Sequence, residues 1–216
     1  MKIPKTQLVN RVNYILNRCE GKRVLHLGCT SSPSTRRRIQ EKTHLHMHIT
    51  SYAQEVYGVD IDTDGLNVMR EHGFENLHEG SVYELHTLGL PTNFDIVLAG
   101  ELIEHLANPG LFLDSVRQCC SPDTVFVLTT PNSFSVKHWI HYLLGKEESH
   151  PEHVAFYSFS TLQRLLTDHQ FRIENWQAGM ITHMSARSKI FTPVIGMLGK
   201  LYPRFGDSLI VECRVN

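Results

Sequence analysis

Glu101, Glu104 and His105 stand at spacings of three and four, so one turn of helix would bring two carboxylates and an imidazole to one face. A second imidazole, His153, closes the run His150-Pro-Glu-His153 later in the chain. Imidazoles move protons near neutral pH, which makes His105 and His153 candidate general bases. The four side chains Glu101, Glu104, His105 and His153 also form a candidate metal set. Two carboxylates and two imidazoles suit Mn, Fe, Co or Zn better than Mg. The alternative is that Glu101 and His105 shape a ligand pocket and His153 touches a substrate, with no ion bound.

These groups need elements to position them. Ile96–Ala99 is a short, continuous apolar run, as in a strand covered on both faces, and Gly100 ends it. Val24–Leu27 is a similar run ending at Gly28-Cys29, and Val56–Ile61 is another, ending in Asp60 and Ile61. Asn76–Glu79 reads as a short strand leading to Gly80-Ser81-Val82, and Thr124–Thr130 as a longer one. Helical spacing recurs between them, over 6–18, 36–54, 66–72, 109–120 and 160–170. In the fourth, Leu111, Phe112 and Val116 are the expected inward positions, and Ser160 is the expected cap of the last. Strands alternating with helices predict an α/β fold: a doubly wound, Rossmann-like sheet of seven strands, mostly parallel, with one antiparallel edge strand from the pair 171–176 and 207–213. In such sheets ligands bind beyond the carboxyl ends of the strands, where the acid and imidazole groups above are expected.

Phe94–Gly110, with its Gly-Glu-Leu-Ile-Glu-His-Leu-Ala-Asn-Pro core, resembles the fourth-strand segment of class I S-adenosylmethionine (SAM)-dependent methyltransferases. Thr130-Pro-Asn132 and the Pro151–Phe171 stretch match the same branch, which includes the ubiquinone-pathway O-methyltransferases. The resemblance covers roughly residues 22–177 and the last strand. It implies SAM as cofactor, held by Leu27, Gly28, Cys29, Asp60, Ile61, Ser81, Val82, Gly100 and Glu101. Asp60 would accept from the ribose hydroxyls and Ile61 would pack on adenine. In an alternative, Asp60 caps the next helix and Asp62 or Asp64 holds the ribose. Ser81 would accept from the adenine amino group, and Val82 would offer its backbone N–H. The first turn departs from the family: His26 stands where an acid is usual, and Thr30-Ser-Ser32 replaces alternating glycines. A dinucleotide pyrophosphate needs those glycines, so NAD and FAD are disfavoured more than SAM. The Glu-x-x-Glu-His motif with a later His also resembles metal-assisted O-methyltransferases of ubiquinone synthesis and of small-RNA 3′ ends, which adds a divalent metal as a possible cofactor.

Composition bounds the rest. The chain has 216 residues, formal net charge -1 and 41% hydrophobic residues, which fits one domain over 1–216 with its own core. That domain carries a cap helix at 6–18 and insertions at 133–153 and 180–205 near the substrate mouth. The near-neutral charge disfavours nucleic acid as a partner. Five cysteines without metal spacing, and no visible signal peptide or membrane-length apolar run, lead to the expectation of a cytoplasmic protein with reduced thiols. His44, His46 and His48 read as chance residues on a solvated helix. The apolar and basic stretch 180–205 has three readings: a helix over the substrate mouth, a homodimer face, or peripheral membrane contact through 187–205. The function expected is methyl transfer from SAM to a hydroxyl of a small-molecule or sugar-like acceptor. An RNA 2′-O-methyltransferase and a non-catalytic binding protein of the same fold are the alternatives.

Overall fold

The computed structural model describes residues 2–147, 149–180 and 201–216. Most of the 180–205 stretch, and with it the helix, dimer and membrane readings of 187–205, lies outside the described residues. The chain runs β1 (Leu8–Asn10), α1 (Arg11–Cys19), β2 (Arg23–Leu27), α2 (Thr35–Gln40), α3 (Leu45–Tyr52), β3 (Glu55–Asp60), α4 (Thr63–Glu71), β4 (Leu77–Glu79), β5 (Ile96–Gly100), α5 (Pro109–Gln118), β6 (Val125–Pro131), α6 (Val136–Leu143), α7 (Phe159–Asp168), β7 (Phe171–Met180) and β8 (Ser208–Val215). One sheet holds them in the order β1-β7-β8-β6-β5-β2-β3-β4.

The expected doubly wound α/β architecture is present, with two differences in the sheet. It has eight strands rather than seven, and its antiparallel strand is internal. β8 runs antiparallel to both β6 and β7, while the neighbours β1/β7, β5/β6, β2/β5, β2/β3 and β3/β4 are parallel. The eighth strand comes from the expected cap helix. Leu8 and Val9 pair along Ala178 and Gly179 of β7. Asn10 then stops the strand and caps α1, its side chain accepting from the Asn13 N–H.

The expected helix over 36–54 is two helices, α2 and α3, separated at Lys42, whose backbone takes the left-handed conformation (φ 55°). The break turns His44 and His46 inward: both are buried, not solvated. Two smaller corrections follow the same logic of local caps. Ser158, not Ser160, caps α7 in a reciprocal arrangement with Thr161. On α5, Leu111 is exposed while Phe112, Leu113 and Val116 enter the core.

β5 is apolar throughout because both its faces are covered. Val97 and Ala99 pack in the cluster that holds Phe112 and Leu113 of α5 and Leu162 and Leu166 of α7. Ile96 and Leu98 pack on the other face with Ile15 and Leu16 of α1 and Ile49 of α3. Each buried Leu, Ile or Phe contributes roughly 1.5–3 kcal/mol from apolar burial. This two-sided packing makes the strand tips a rigid base for the loops at their carboxyl ends. No helix among the described residues is long and apolar enough to cross a membrane.

Candidate active site

The carboxyl ends of β2, β3, β5 and β6 carry the expected groups. At the end of β2, Gly28 takes a left-handed backbone (φ 69°), and a Cβ there would lie 3.0 Å from Leu102 Cδ1. Leu27 and Cys29 are buried, so only their backbone can meet a ligand. Burial pushes the Cys29 thiol far up from its ordinary range, which leaves it un-ionised and unreactive. Thr30 replaces the usual glycine with a fixed contact: its N–H and hydroxyl both donate to Asp60 Oδ2 at 2.9 Å.

Asp60 Oδ1 accepts from the Asp62 N–H at 3.0 Å, and Asp62 rather than Asp60 caps α4 by accepting from Gly65. The capping half of the alternative reading of Asp60 therefore passes to Asp62. Three bonds leave lone-pair capacity on the Asp60 carboxylate for a further donor. Beside it Ile61 is 74% exposed, an apolar side chain at a strand tip with nothing packed over it. At the end of β4, Ser81 Oγ accepts from the Tyr83 N–H, and Val82 is buried.

β5 ends in strain. Glu101 has a left-handed backbone (φ 54°), a conformation that disfavours any side chain. It is held by its N–H donating to Thr129 O at 2.9 Å and by Thr129 Oγ1 donating to its Oε1 at 3.0 Å. Arg11, at the start of α1, reaches the same point, with Nη1 3.5 Å from Glu101 Oε1 and 3.3 Å from Thr129 Oγ1. Sequence reasoning missed Arg11. The available signal was the Asn10 cap, which fixes Arg11 as the first residue of its helix.

Glu104 lies on the 3₁₀ turn Ile103–His105 and is 1% exposed. Its Oε2 accepts from Thr130 Oγ1 at 3.0 Å, while Oε1 is buried without a partner among the described residues. Burial, then the neighbouring Glu101 charge, pushes its carboxyl up to about 8. The Glu104 carbonyl accepts from the N–H groups of Val154 and Ala155. This clamp sets His153 against His105, with ring centroids 4.6 Å apart.

The turn divides the expected four-residue set. Glu101 and Glu104 face the Thr129-Thr130 tip of β6, whereas His105 faces His153. A third imidazole, His150, joins the latter, at 5.8 Å from His105 and 5.5 Å from His153 by centroid. Among the described residues, His105, His150 and His153 are the group whose ligand atoms all approach within 4.8 Å. Sequence reasoning quoted His150 without giving it a role; its place three residues before His153 was the signal. Burial first and the neighbouring imidazoles second (for His105, His150) hold His105 and His153 below the ordinary histidine range. Both are therefore neutral near pH 7, able to accept a proton or ligate a metal.

His26 takes no part in the cleft. Its ring is buried toward α3, with Nδ1 3.1 Å from His46 Nδ1. Phe134 and the α6 residues Trp139, Tyr142 and Leu143 are exposed, in the insertion expected near the substrate mouth.

Comparison with known proteins adds to this geometry. The methyltransferase-domain family matches residues 6–175. Ubiquinone biosynthesis O-methyltransferases are similar: that of Haemophilus ducreyi is 28% identical over 148 residues, 63% of this chain and 58% of its own. That of Photorhabdus laumondii is 28% identical over 144 residues, 63% and 55%. The chain thus spans little more than half the length of these relatives. Among solved structures, a SAM-dependent methyltransferase from Archaeoglobus fulgidus superposes with TM-score 0.62 at 20% identity, over 94% of this chain and 91% of the other. The small RNA methyltransferase HEN1 superposes with TM-score 0.61 at 16% identity, over 100% of this chain and 27% of the other. At these identities the likeness is one of fold.

Proposed function

This chain belongs to the methyltransferase-domain family, the class I SAM-dependent methyltransferases, and on that premise we propose that it methylates a hydroxyl of a small-molecule acceptor. The observation that carries the reading is the pairing of the exposed Ile61 and Asp60 at one strand tip with neutral imidazoles beside the neighbouring tips. Ile61 and the partly free Asp60 carboxylate fit an adenosyl group: a flat apolar wall and an acceptor for ribose hydroxyls. Ser81 and Val82 stand at the end of β4 to meet the base, and the backbone of Leu27–Cys29 and Gly100-Glu101 closes the methionyl side.

SAM supplies an electrophilic methyl carbon on a sulfonium. Transfer is an in-line displacement: the acceptor oxygen forms the new bond to carbon, the sulfur–carbon bond breaks, and its electron pair stays on sulfur. The chain supplies orientation and a destination for the hydroxyl proton. His105 and His153 are the bases in this reading. Arg11, poised over Gly100-Glu101, would hold the methionyl carboxylate. The whole of 1–216 would act as one unit, with 133–153 over the acceptor.

The test is calorimetric titration with S-adenosylhomocysteine. Binding should weaken by at least about tenfold in Asp60→Ala, the loss expected when hydrogen bonds to a charged group are removed. Equal affinity in the variant would remove Asp60 from the site, and no binding by the native protein would favour the non-catalytic reading.

One observation favours a metal-assisted form of the same reaction. His105, His150 and His153 converge, with one ligand atom of each within 4.8 Å of the others. Three imidazoles with Glu104 or Glu101 beyond them suit zinc, manganese, iron or cobalt. An ion held there would lower the pKa of the acceptor hydroxyl. Zinc or manganese at about 100 times its dissociation constant should add about 2.7 kcal/mol of stability, read as a higher melting temperature. That shift should vanish in His150→Ala/His153→Ala; an unchanged melting temperature in the native protein would leave the imidazoles as bases alone.

A further inference from the structure

Residues 1–19 carry Lys2, Lys5, Arg11 and Arg18 and no acid. Residues 180–206 carry Arg187, Lys189, Lys200 and Arg204 and again no acid. These two segments hold eight of the chain's 21 cations and none of its 22 acids, although the whole chain is near neutral. Their described parts meet at one place. A cavity of about 660 Å³ opens between Lys2–Gln7, Gln177 and Leu201–Arg204. That volume lies in the range of small-molecule sites.

The cations in the two segments are not equivalent. Arg11 is committed to Glu101 and Arg18 to Glu212. Lys2, Lys5 and Arg204 line the cavity and have no carboxylate at ion-pair distance among the described residues. Arg204 instead lies beside Tyr202 and Phe205, its guanidinium 5.6 and 5.7 Å from their ring centres, which are themselves 6.2 Å apart edge to face. These ring contacts leave the N–H fork of the exposed guanidinium available to a planar or tetrahedral oxyanion. Gln7, Thr6 and Gln177 add neutral donors, and Ile3, Pro4 and Leu201 add an apolar wall.

The cavity is also coupled to the reaction centre. Asn132, fully buried past the tip of β6, donates from Nδ2 to the carbonyls of Arg204 and Gly206 at 3.0 and 2.8 Å. Two residues before it, Thr130 holds Glu104. The wall that carries Arg204 is thus pinned to the end of β6, whose Thr130 hydroxyl holds Glu104.

We propose that this cavity binds a phosphorylated group of a soluble ligand, and that this group is a handle of the acceptor. Three converging cations match the double or triple charge of a phosphoryl or diphosphoryl group better than a single carboxylate. A concave cavity lined by amide side chains suits a discrete ligand rather than a bilayer surface. The inference rests on the small-molecule reading above only in taking the bound group for part of the acceptor.

The experiment is titration of the full chain with inorganic pyrophosphate, without SAM, at about 0.15 M salt to screen long-range attraction. The native protein should bind. Lys2→Gln/Lys5→Gln/Arg204→Gln should lose about tenfold for each cation removed, while its titration with S-adenosylhomocysteine stays unchanged. Arg204→Lys, which keeps the charge but not the fork, should fall between the two. Absence of pyrophosphate binding, or equal binding by the triple variant, would overturn the proposal. So would retention on phosphatidylglycerol vesicles or on single-stranded RNA without pyrophosphate binding, since the cations would then serve a membrane or a nucleic acid. None of these outcomes bears on Asp60 and the adenosyl site, which the other titration reads.

Discussion

Two histidines in hydrogen-bond contact can share one N–H only while at least one of them is neutral to accept it, and the buried His26 and His46 are such a pair. Their rings lie nearly parallel, 16° between planes. His44 is buried nearby, with neither ring nitrogen partnered among the described residues, and Phe74 packs on both His44 and His46. Cys29, whose thiol stays un-ionised, and Gly58 close the same space. Burial is the first cause that holds all three histidines low, His44 at about 4, His46 at about 3 and His26 well below its ordinary value. A depressed histidine pKa means that the unfolded chain takes up protons that the folded chain refuses. The stability is complete above about pH 6.5 and is lost as pH falls toward about 4 and below. Between pH 6.5 and 5 the loss is about 2 kcal/mol for each histidine. At about 2–4 °C per kcal/mol for a chain of this size, the melting temperature should drop by on the order of 10 °C. His44→Phe/His46→Phe should flatten that slope, and a native melting temperature that holds steady to pH 5 would show that the cluster is hydrated. Single residues were only partly legible in the sequence. Asp60 and Ile61 stand where the motif put them. His44 and His46 did not, because exposure depends on where a helix breaks, and that break is a backbone event at Lys42.

At the level of elements, the apolar runs at 24–27, 56–61, 96–99 and 124–130 were readable as strands because buried parallel strands leave little room for polar residues. Their ends were readable too, since Gly28, Asp60 and Gly100 interrupt the apolar pattern. What pattern could not show was pairing. Leu8–Asn10 carries two apolar residues that fit a helix as well as a strand, and only Ala178 and Gly179 on β7 decide between them. The antiparallel edge strand was expected from the pair 171–176 and 207–213, yet β7 and β8 are both internal, and β8 is the antiparallel one. Its run from Leu209 to Cys213 is buried throughout, and that is the mark of a strand with a neighbour on each side. The turn Ile103–His105 was also misjudged in shape. A 3₁₀ turn rotates successive side chains differently from an α-helix, so Glu104 stays with Glu101 while His105 swings to His153 and His150. Spacing thus grouped Glu101, Glu104 and His105, whereas contact groups His105 with His150 and His153.

Taken whole, the molecule is a sheet with the candidate site groups at the carboxyl ends of its strands and with the exposed cations Lys2, Lys5 and Arg204 around the cavity beside β1 and β7. The uneven charge has a consequence for handling the protein. Its isoelectric point is about 6.9, and an ideal sphere of that charge would pass through ion exchangers of either sign at pH 7. A particle with a basic end behaves as a dipole, adsorbing to whichever surface its end faces. On a sulfonate resin at about 20 mM salt it should be retained, then released at about 0.2 M as the Debye length contracts. Lys2→Gln/Lys5→Gln/Arg204→Gln should elute earlier than a control with three lysines or arginines removed from α2 and α4. Elution of both in the flow-through would show that the end is neutralised in solution, and purification would then have to proceed on the opposite resin.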